Sequence, residues 1–154
     1  MPPAILLVAV LERMYEIFEH TADFGIRAKA ERLDTLFVEA ARGLLALMLI
    51  NPEAVQPREE RTFHLQGDDL EGLLHDWLDE LLFLFSAKRF APIDFQVAFE
   101  GDAAHPTGLN ATVRGEPLDL ERHEIEVEVK AITWHALSIA HQNEEWLSEV
   151  IVDV

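Results

Sequence analysis

Phe24-Gly25-Ile26-Arg27-Ala28-Lys29-Ala30, followed three residues later by Asp34-Thr35-Leu36-Phe37-Val38-Glu39-Ala40-Ala41-Arg42-Gly43-Leu44-Leu45-Ala46-Leu47-Met48-Leu49, changes its period midway. In the first part Phe24, Ile26, Ala28 and Ala30 alternate with glycine and cations, which is the period of a strand with one covered face. In the second, Leu36, Phe37, Ala40, Ala41, Leu44, Leu45 and Met48 recur at intervals of three and four, the stripe of an amphipathic helix. Asp34 is placed to cap that helix, and Asn51-Pro52 stops it. A one-faced strand running into a one-faced helix predicts a helix packed on a sheet.

The same grammar extends in both directions. Tyr15-Glu16-Ile17-Phe18 reads as a strand that reaches the Phe24 strand through a His20-Thr21-Ala22-Asp23 turn. Thr62–Gln66 reads as another strand. Gly67-Asp68-Asp69 then caps a second helix, with Leu70, Leu73, Leu74, Trp77, Leu78, Leu81, Leu82 and Phe85 on its apolar face. Ile93, Phe95, Val97 and Phe99 alternate with polar residues, and Leu109, Ala111 and Val113 continue the pattern beyond a loop containing Pro106. Residues 124–134 give the clearest alternation: Ile125, Val127, Val129 and Ala131 against Glu124, Glu126, Glu128 and Lys130. Leu137–Ala140 and Trp146–Val152 read as two last strands joined around Gln142–Glu145. The predicted fold is a two-layer α+β sandwich: two amphipathic helices on a largely antiparallel sheet of about seven strands.

Composition bounds the function. The 154 residues suggest one domain, and 49% of them are apolar, enough for a real core. Twelve basic residues against 29 acidic give a net charge of −17, which repels a phosphate backbone. Direct strong binding of nucleic acid is therefore not expected; cations and basic protein surfaces are. The chain has no cysteine, so a metal site must use oxygen or imidazole, and a reducing compartment such as the cytoplasm fits. Residues 1–13 contain an apolar run, Pro2–Leu11, that is too short to span a bilayer. They read as an N-terminal extension, an upstream start or an extra edge strand, ahead of a single domain over residues 14–154.

Candidate site residues sit at the two ends of the chain. Taken alone, Asp23 is a turn aspartate suited to capping local N–H groups. His20, three residues earlier, reads as a satisfied structural histidine or as an orienter of a neighbouring ligand. Val150-Ile151-Val152-Asp153-Val154 is an apolar run reaching the last residue, and it offers a carboxylate and main-chain oxygens of the kind hard cations take. Lys130 is the lone cation on an acidic strand face, suited to pairing with a neighbour or to contacting a phosphate. Glu19, Asp23, Glu116, Asp119, Glu121, Glu124 and Asp153 are candidates for one acidic docking face. His75, beside Asp76, reads as a surface residue, and His123 as a hydrogen-bonding residue at the start of a strand. None of the seven histidines forms a tight pair such as HExxH, and neither a P-loop nor a nucleophile elbow occurs.

In order along the chain, several segments resemble the archease family: Glu19–Ile26, Leu36–Leu44, His75–Phe85, Gly115–Asp119, and Arg122-His123-Glu124 through Val129-Lys130-Ala131-Ile132-Thr133-Trp134-His135 to Val150–Val154. The likeness covers residues 14–154. Asp79, where Asn is usual, and Phe24, where an aliphatic residue is usual, are small departures. The resemblance implies a non-catalytic accessory protein. Its partner would be an RtcB-type RNA ligase of tRNA splicing and RNA repair, whose guanylation and repeated turnover it promotes. It further implies that Asp23, Asp153 and Val154 hold a divalent cation (calcium in a crystal, with magnesium or manganese as further options), and that the Lys130 segment is functional. A general chaperone-like binder of proteins is the other reading.

Overall fold

The computed structural model describes residues 14–20 and 23–154, with His20 described by its backbone alone. Residues 1–13 and Thr21-Ala22 lie outside the described residues. The elements are β1 (Tyr15–His20), β2 (Asp23–Ala30), α1 (Leu33–Met48), a 3₁₀ turn (Pro52–Ala54), β3 (Glu59–Gln66), α2 (Leu70–Ser86), β4 (Phe90–Gly101), β5 (Pro106–Pro117), β6 (Ala131–Ile132), β7 (Ser138–Gln142) and β8 (Glu145–Asp153).

The α+β class, the two helices and the antiparallel pairing are as predicted. The strands, however, form two sheets rather than one. The larger runs β1-β2-β8, with β6 and β7 both paired to the far edge of β8; the smaller runs β3-β5-β4. Each helix touches both sheets. α1 lies on β2 and β8 of the large sheet and on β4 of the small one, while α2 lies on β3, β4 and β5 and reaches β6 and β7. A helix wedged between two sheets must be apolar around most of its circumference. This is why Leu47 of α1 and Leu84 of α2 are buried outside the stripes read from the sequence. Trp77 is central: its ring meets Phe63 and Phe95 of the small sheet, and its indole N–H donates to the Phe37 carbonyl of α1 at 2.8 Å. Gly43 brings α1 close to the large sheet, since a Cβ there would lie 2.6 Å from Ile26 Cγ2.

Local signals are obeyed with two exceptions. Asp69 caps α2 as expected, accepting from the Gly72 N–H at 2.7 Å. Asn143 and Glu144 both take positive φ, 53° and 66°, in the two-residue hairpin turn between β7 and β8. Asp34, by contrast, lies inside the first turn of α1, because the helix starts at Leu33 with Arg32 as its N-cap. There its carboxylate accepts from the Thr35 N–H and from Arg32, and its charge still complements the helix dipole. The second exception is the segment 124–130, which is extended but is not a strand of either sheet. Its Glu126 N–H donates to the Met48 carbonyl at 2.8 Å, and its Glu124 carbonyl accepts from the Ile50 N–H at 2.9 Å. It therefore satisfies the end of α1, whose last carbonyls have no partner within the helix. Val129 is buried as the alternation requires, but Ile125 is 40% exposed.

Two substitutions separate packing from polarity. Gly115→Ala puts a Cβ 1.9 Å from the Ala91 main-chain oxygen, near the Phe90–Pro117 end of the β4–β5 ladder and beside its Pro92–Asp94 register shift. It is expected to cost about 2–3 kcal/mol in a denaturant titration. Ser148 is buried in β8 with its hydroxyl unpaired among the described residues. Ser148→Ala removes an unsatisfied polar group and is expected to raise stability by about 1 kcal/mol in the same titration.

Candidate functional site

The β2–β8 register brings the two chain ends together. Phe24 pairs with Val152, Gly25 with Ile151 and Ile26 with Val150. The register ends at the Phe24–Val152 pair, and one residue beyond it on each strand stand Asp23 and Asp153, at the same end of the sheet. Ile26 and Val150 point into the core, so alternation turns Asp23 and Asp153 together onto the face away from α1. Asp23 is half-buried and Asp153 is exposed.

The other candidates are drawn to the same end. β6 pairs Ala131 with Asp153, and the Lys130 N–H donates to the Asp153 carbonyl at 2.8 Å. Lys130 therefore flanks the last residues of β8 on one side as Asp23 does on the other. Its side chain is exposed and forms no ion pair among the described residues. Val154 follows Asp153, and its half-buried side chain packs on the core. The backbone of His20 pairs with Asp23 across the β1–β2 hairpin; the side chain lies outside what is described. The resemblance implies that Asp23, Asp153 and Val154 come together; the strand pairing brings their backbones to one end of the large sheet, with those of His20 and Lys130 beside them.

The outer face behind this tip is pinned by side chains in cross-strand rows. Arg27 reaches Glu16 of β1 and Glu149 of β8, so its guanidinium pKa is pushed up, first by the Glu16 bond. The same guanidinium lies 4.4 Å from the centre of the Phe18 ring. That ring lies across Gly25, where a Cβ would stand 2.1 Å from Phe18 Cζ. A cleft of about 760 Å³ lies at the opposite end of the β1–β2 pair, lined by Met14, Tyr15, Lys29 and Ile50 among others. Asp23 and Asp153 do not line it.

The approach to Lys130 is anchored by a buried polar hub. The Glu116 side chain is 3% exposed. It takes two bonds from Arg122, at 2.9 and 2.8 Å, and one from the Gln56 N–H at 2.7 Å. His123 is fully buried; its Nδ1 accepts from the Asp119 N–H at 2.9 Å, so its Nε2–H donates to Glu116 at 3.1 Å. Asn51 closes the group, donating to the Arg122 carbonyl and accepting from the Glu124 N–H. Glu116 is thus an internal anchor and does not belong to an acidic docking face. The Arg122 bonds, helped by Gln56 and His123 and opposed by burial, pull its pKa from 4.5 down to about 2.

His75 is not a free surface residue. Its Nδ1 meets Asp76 at 3.0 Å, its Nε2 donates to the Ile132 carbonyl at 3.0 Å, and its ring stacks on Trp134 at 3.8 Å. Its partners in β6 lie 57 residues away in sequence, so only the neighbouring Asp76 was visible beforehand. Among the described residues no three His, Cys, Asp or Glu side chains converge on a metal-sized space. The predicted donor set needs only two carboxylates and main-chain oxygens, and Asp23 and Asp153 are of the chemistry that calcium, magnesium or manganese takes.

A profile of the Archease protein family matches residues 15–154. The protein archease of Methanopyrus kandleri is 37% identical over 140 residues, which cover 91% of this chain and 99% of that one. That of Pyrococcus abyssi is 36% identical over 143 residues, covering 92% and 99%. Among solved structures, the solution structure of Methanobacterium thermoautotrophicum protein 1598 superposes with a TM-score of 0.80 at 32% identity, over 92% of this chain and 99% of that one. The crystal structure of a Thermotoga maritima archease, described there as a possible chaperone, superposes at 0.61 with 23% identity, over 90% and 96%, a likeness of fold.

The hub makes a pH prediction. A carboxyl whose folded pKa lies below its unfolded value contributes stability that is fully present above the unfolded value and is lost as pH falls through the folded one. For Glu116 that window runs from pH 4.5 down to about 2. Thermal melts across this range should show the wild type losing stability, with a shallower slope in Glu116→Gln. At pH 7 the variant should be the less stable, because Arg122 loses its partner.

Proposed function

Because the chain belongs to the archease family, we propose that it is a metal-binding accessory protein that activates an RtcB-type RNA ligase by promoting its guanylation and multiple turnover. On this reading it is not itself an enzyme. It works in the cytoplasm on a protein partner and leaves RNA binding to that partner. The single observation that supports the reading most is that Asp23 and Asp153 come to one end of the large sheet, next to the last β2–β8 pair, with Lys130 bonded to the same strand.

The chemistry follows from charge. A cation held by Asp23, Asp153 and a Val154 main-chain oxygen would supply positive charge to nucleotide phosphate oxygens. Without it, the tip of a chain of net charge −17 repels those phosphates. Lys130 has no ion-pair partner among the described residues, and its ammonium can reach a phosphate or an acidic group of the ligase. Because the tip is built on paired strands, its geometry is set before the partner arrives, which reduces the ordering cost of docking. No helix among the described residues is long and apolar enough to cross a membrane.

A general chaperone-like role is the second reading, favoured by the exposed Ile50, Leu120, Ile125 and Trp134 side chains. It predicts suppression of aggregation of unrelated proteins, independent of Asp23.

The deciding assay is guanylation of the cognate ligase with GTP, at substoichiometric amounts of this protein. The accessory reading expects a large rate increase that Asp23→Ala abolishes while its melting profile stays native. Full stimulation by Asp23→Ala would remove the cation from the mechanism. No stimulation of an active ligase by the wild type would remove the partner.

A further inference from the structure

The accessory-protein reading places the contact with the partner at the acidic tip and leaves a second surface unused. Trp134 is 60% exposed, although one face of its indole is covered by His75. The stack is nearly parallel, at 12° and 3.8 Å. It is also rigid, because both His75 ring nitrogens are engaged, by Asp76 and by the Ile132 carbonyl. Trp134 itself stands on a projection. From Ile132↔Val152 to Ser138↔Glu149 the outer edge advances six residues while β8 advances three, so three residues are looped out. Ala136, at φ 53°, turns the chain there. The ring is a fixed platform with one face open.

The surroundings of the platform are acidic. Asp79 lies four residues after His75 on α2, hence on the same helical stripe, and is exposed with no ion-pair partner among the described residues. The Asp76 side chain, bonded to His75, is still 45% exposed. Further along the stripe, Phe83 is 48% exposed, about 12 Å from His75 at the helical rise. The Lys88 ammonium already lies 5.6 Å from the centre of the Phe83 ring. An exposed indole, the unpaired Asp79 and the still accessible Asp76 have the composition of a guanidinium site: the ring takes the cation by its face and the carboxylates take the N–H groups.

We propose that Trp134, buttressed by His75, with Asp76 and Asp79 forms a docking strip for an arginine-bearing segment of a protein partner. This deepens the accessory reading and rests on its premise that the partner is a basic protein. A polynucleotide is disfavoured by the carboxylates that flank the ring. The strip is distinct from the tip, but β6 joins them: Lys130 bonds to Asp153, and Ile132, two residues on, bonds to His75.

The test uses the full chain and a probe that is neither ligase nor nucleotide. Acetylated tetra-arginine amide is titrated against tryptophan emission, with the tetra-lysine peptide and GMP as comparisons. Trp77 is buried and Trp146 is half-buried against the core, whereas Trp134 is 60% exposed, so Trp134 should dominate the response. The expected result is a saturable change, stronger for arginine than for lysine and absent with GMP. Trp134→Leu should weaken binding roughly tenfold. Asp79→Asn should weaken it by about threefold, more than Asp102→Asn, a charge-matched control at the β4–β5 loop. Equal affinity of Trp134→Leu and wild type overturns the proposal, as does a response to GMP instead of the peptide. Should Trp134→Leu fail to fold, the Asp79→Asn and Asp102→Asn pair decides, and equal affinities overturn it. A failure here leaves the guanylation result standing, and loss of guanylation with intact peptide binding leaves the strip standing.

Discussion

The pairing of β8 with β2 is the contact on which the rest of the molecule depends. β8 is the last strand of the chain, yet it lies inside the large sheet, with β2 on one edge and β6 and β7 on the other. The β1–β2 hairpin from the start of the chain and β6 and β7 from its end are joined in one sheet only through it. Because strand side chains alternate with a period of two, a slip of one residue would turn Val150 and Val152 to solvent and bury Glu149 and Asp153. The core thus fixes the register, and the register fixes the tip. The outer face reinforces the choice: Arg27 meets both Glu16 and Glu149 only in this alignment, and Phe18 finds the one residue, Gly25, without a side chain to block its ring.

A second constraint governs the stretch between the two sheets. Residues 118–130 carry the chain from β5 of the small sheet to β6 of the large one without forming a ladder. Irregular backbone of this kind needs other partners for its polar groups. The Glu116–Arg122–His123–Asn51 hub provides them at the start, and the open end of α1 provides them in the middle. Asp153 receives the last amide, from Lys130. The position of Lys130 at the tip therefore derives from polar contacts made along the whole segment, beginning with a buried carboxylate.

What could be read beforehand follows the range of the interactions. The helix stripes of α1 and α2 and the Asp69 cap are local, and they were legible. The candidate pair Asp23 and Asp153 was legible only through family likeness, since in isolation one is a turn residue and the other a chain-end residue. The alternation of Ile125, Val127 and Val129 reads as a strand because an extended chain alternates whatever its amides bond to; that they bond to a helix end has no local signal. His75 has the same lesson. Asp76 beside it looked like a sufficient partner, while the Ile132 carbonyl and the Trp134 ring come from the opposite sheet. Division of the strands between two sheets was likewise hidden, because alternation tells which face of a strand is covered and not which strand lies beside it.

The charge of the chain gives the two surfaces different characters. Opposed carboxylates in adjacent strands repel, and such pairs are tolerated at an exposed sheet end where water screens them. At Asp23 and Asp153 a cation bound as proposed would relieve any such repulsion. On α2 the carboxylates of Asp76 and Asp79 are spaced along the helix that carries His75, the residue stacked on the Trp134 ring, and the proposed occupant is a flat, delocalised cation rather than a compact one. The same acidic excess can thus serve a hard ion at the tip and a guanidinium on the helix, because strand register crowds oxygens together and helical spacing spreads them beside a ring. β6 lies between the two, bonded to Asp153 through Lys130 and to His75 through Ile132. Engagement of Trp134 that fixed His75 would also hold the strand that receives Asp153, so docking on the helix and order at the tip share a common support.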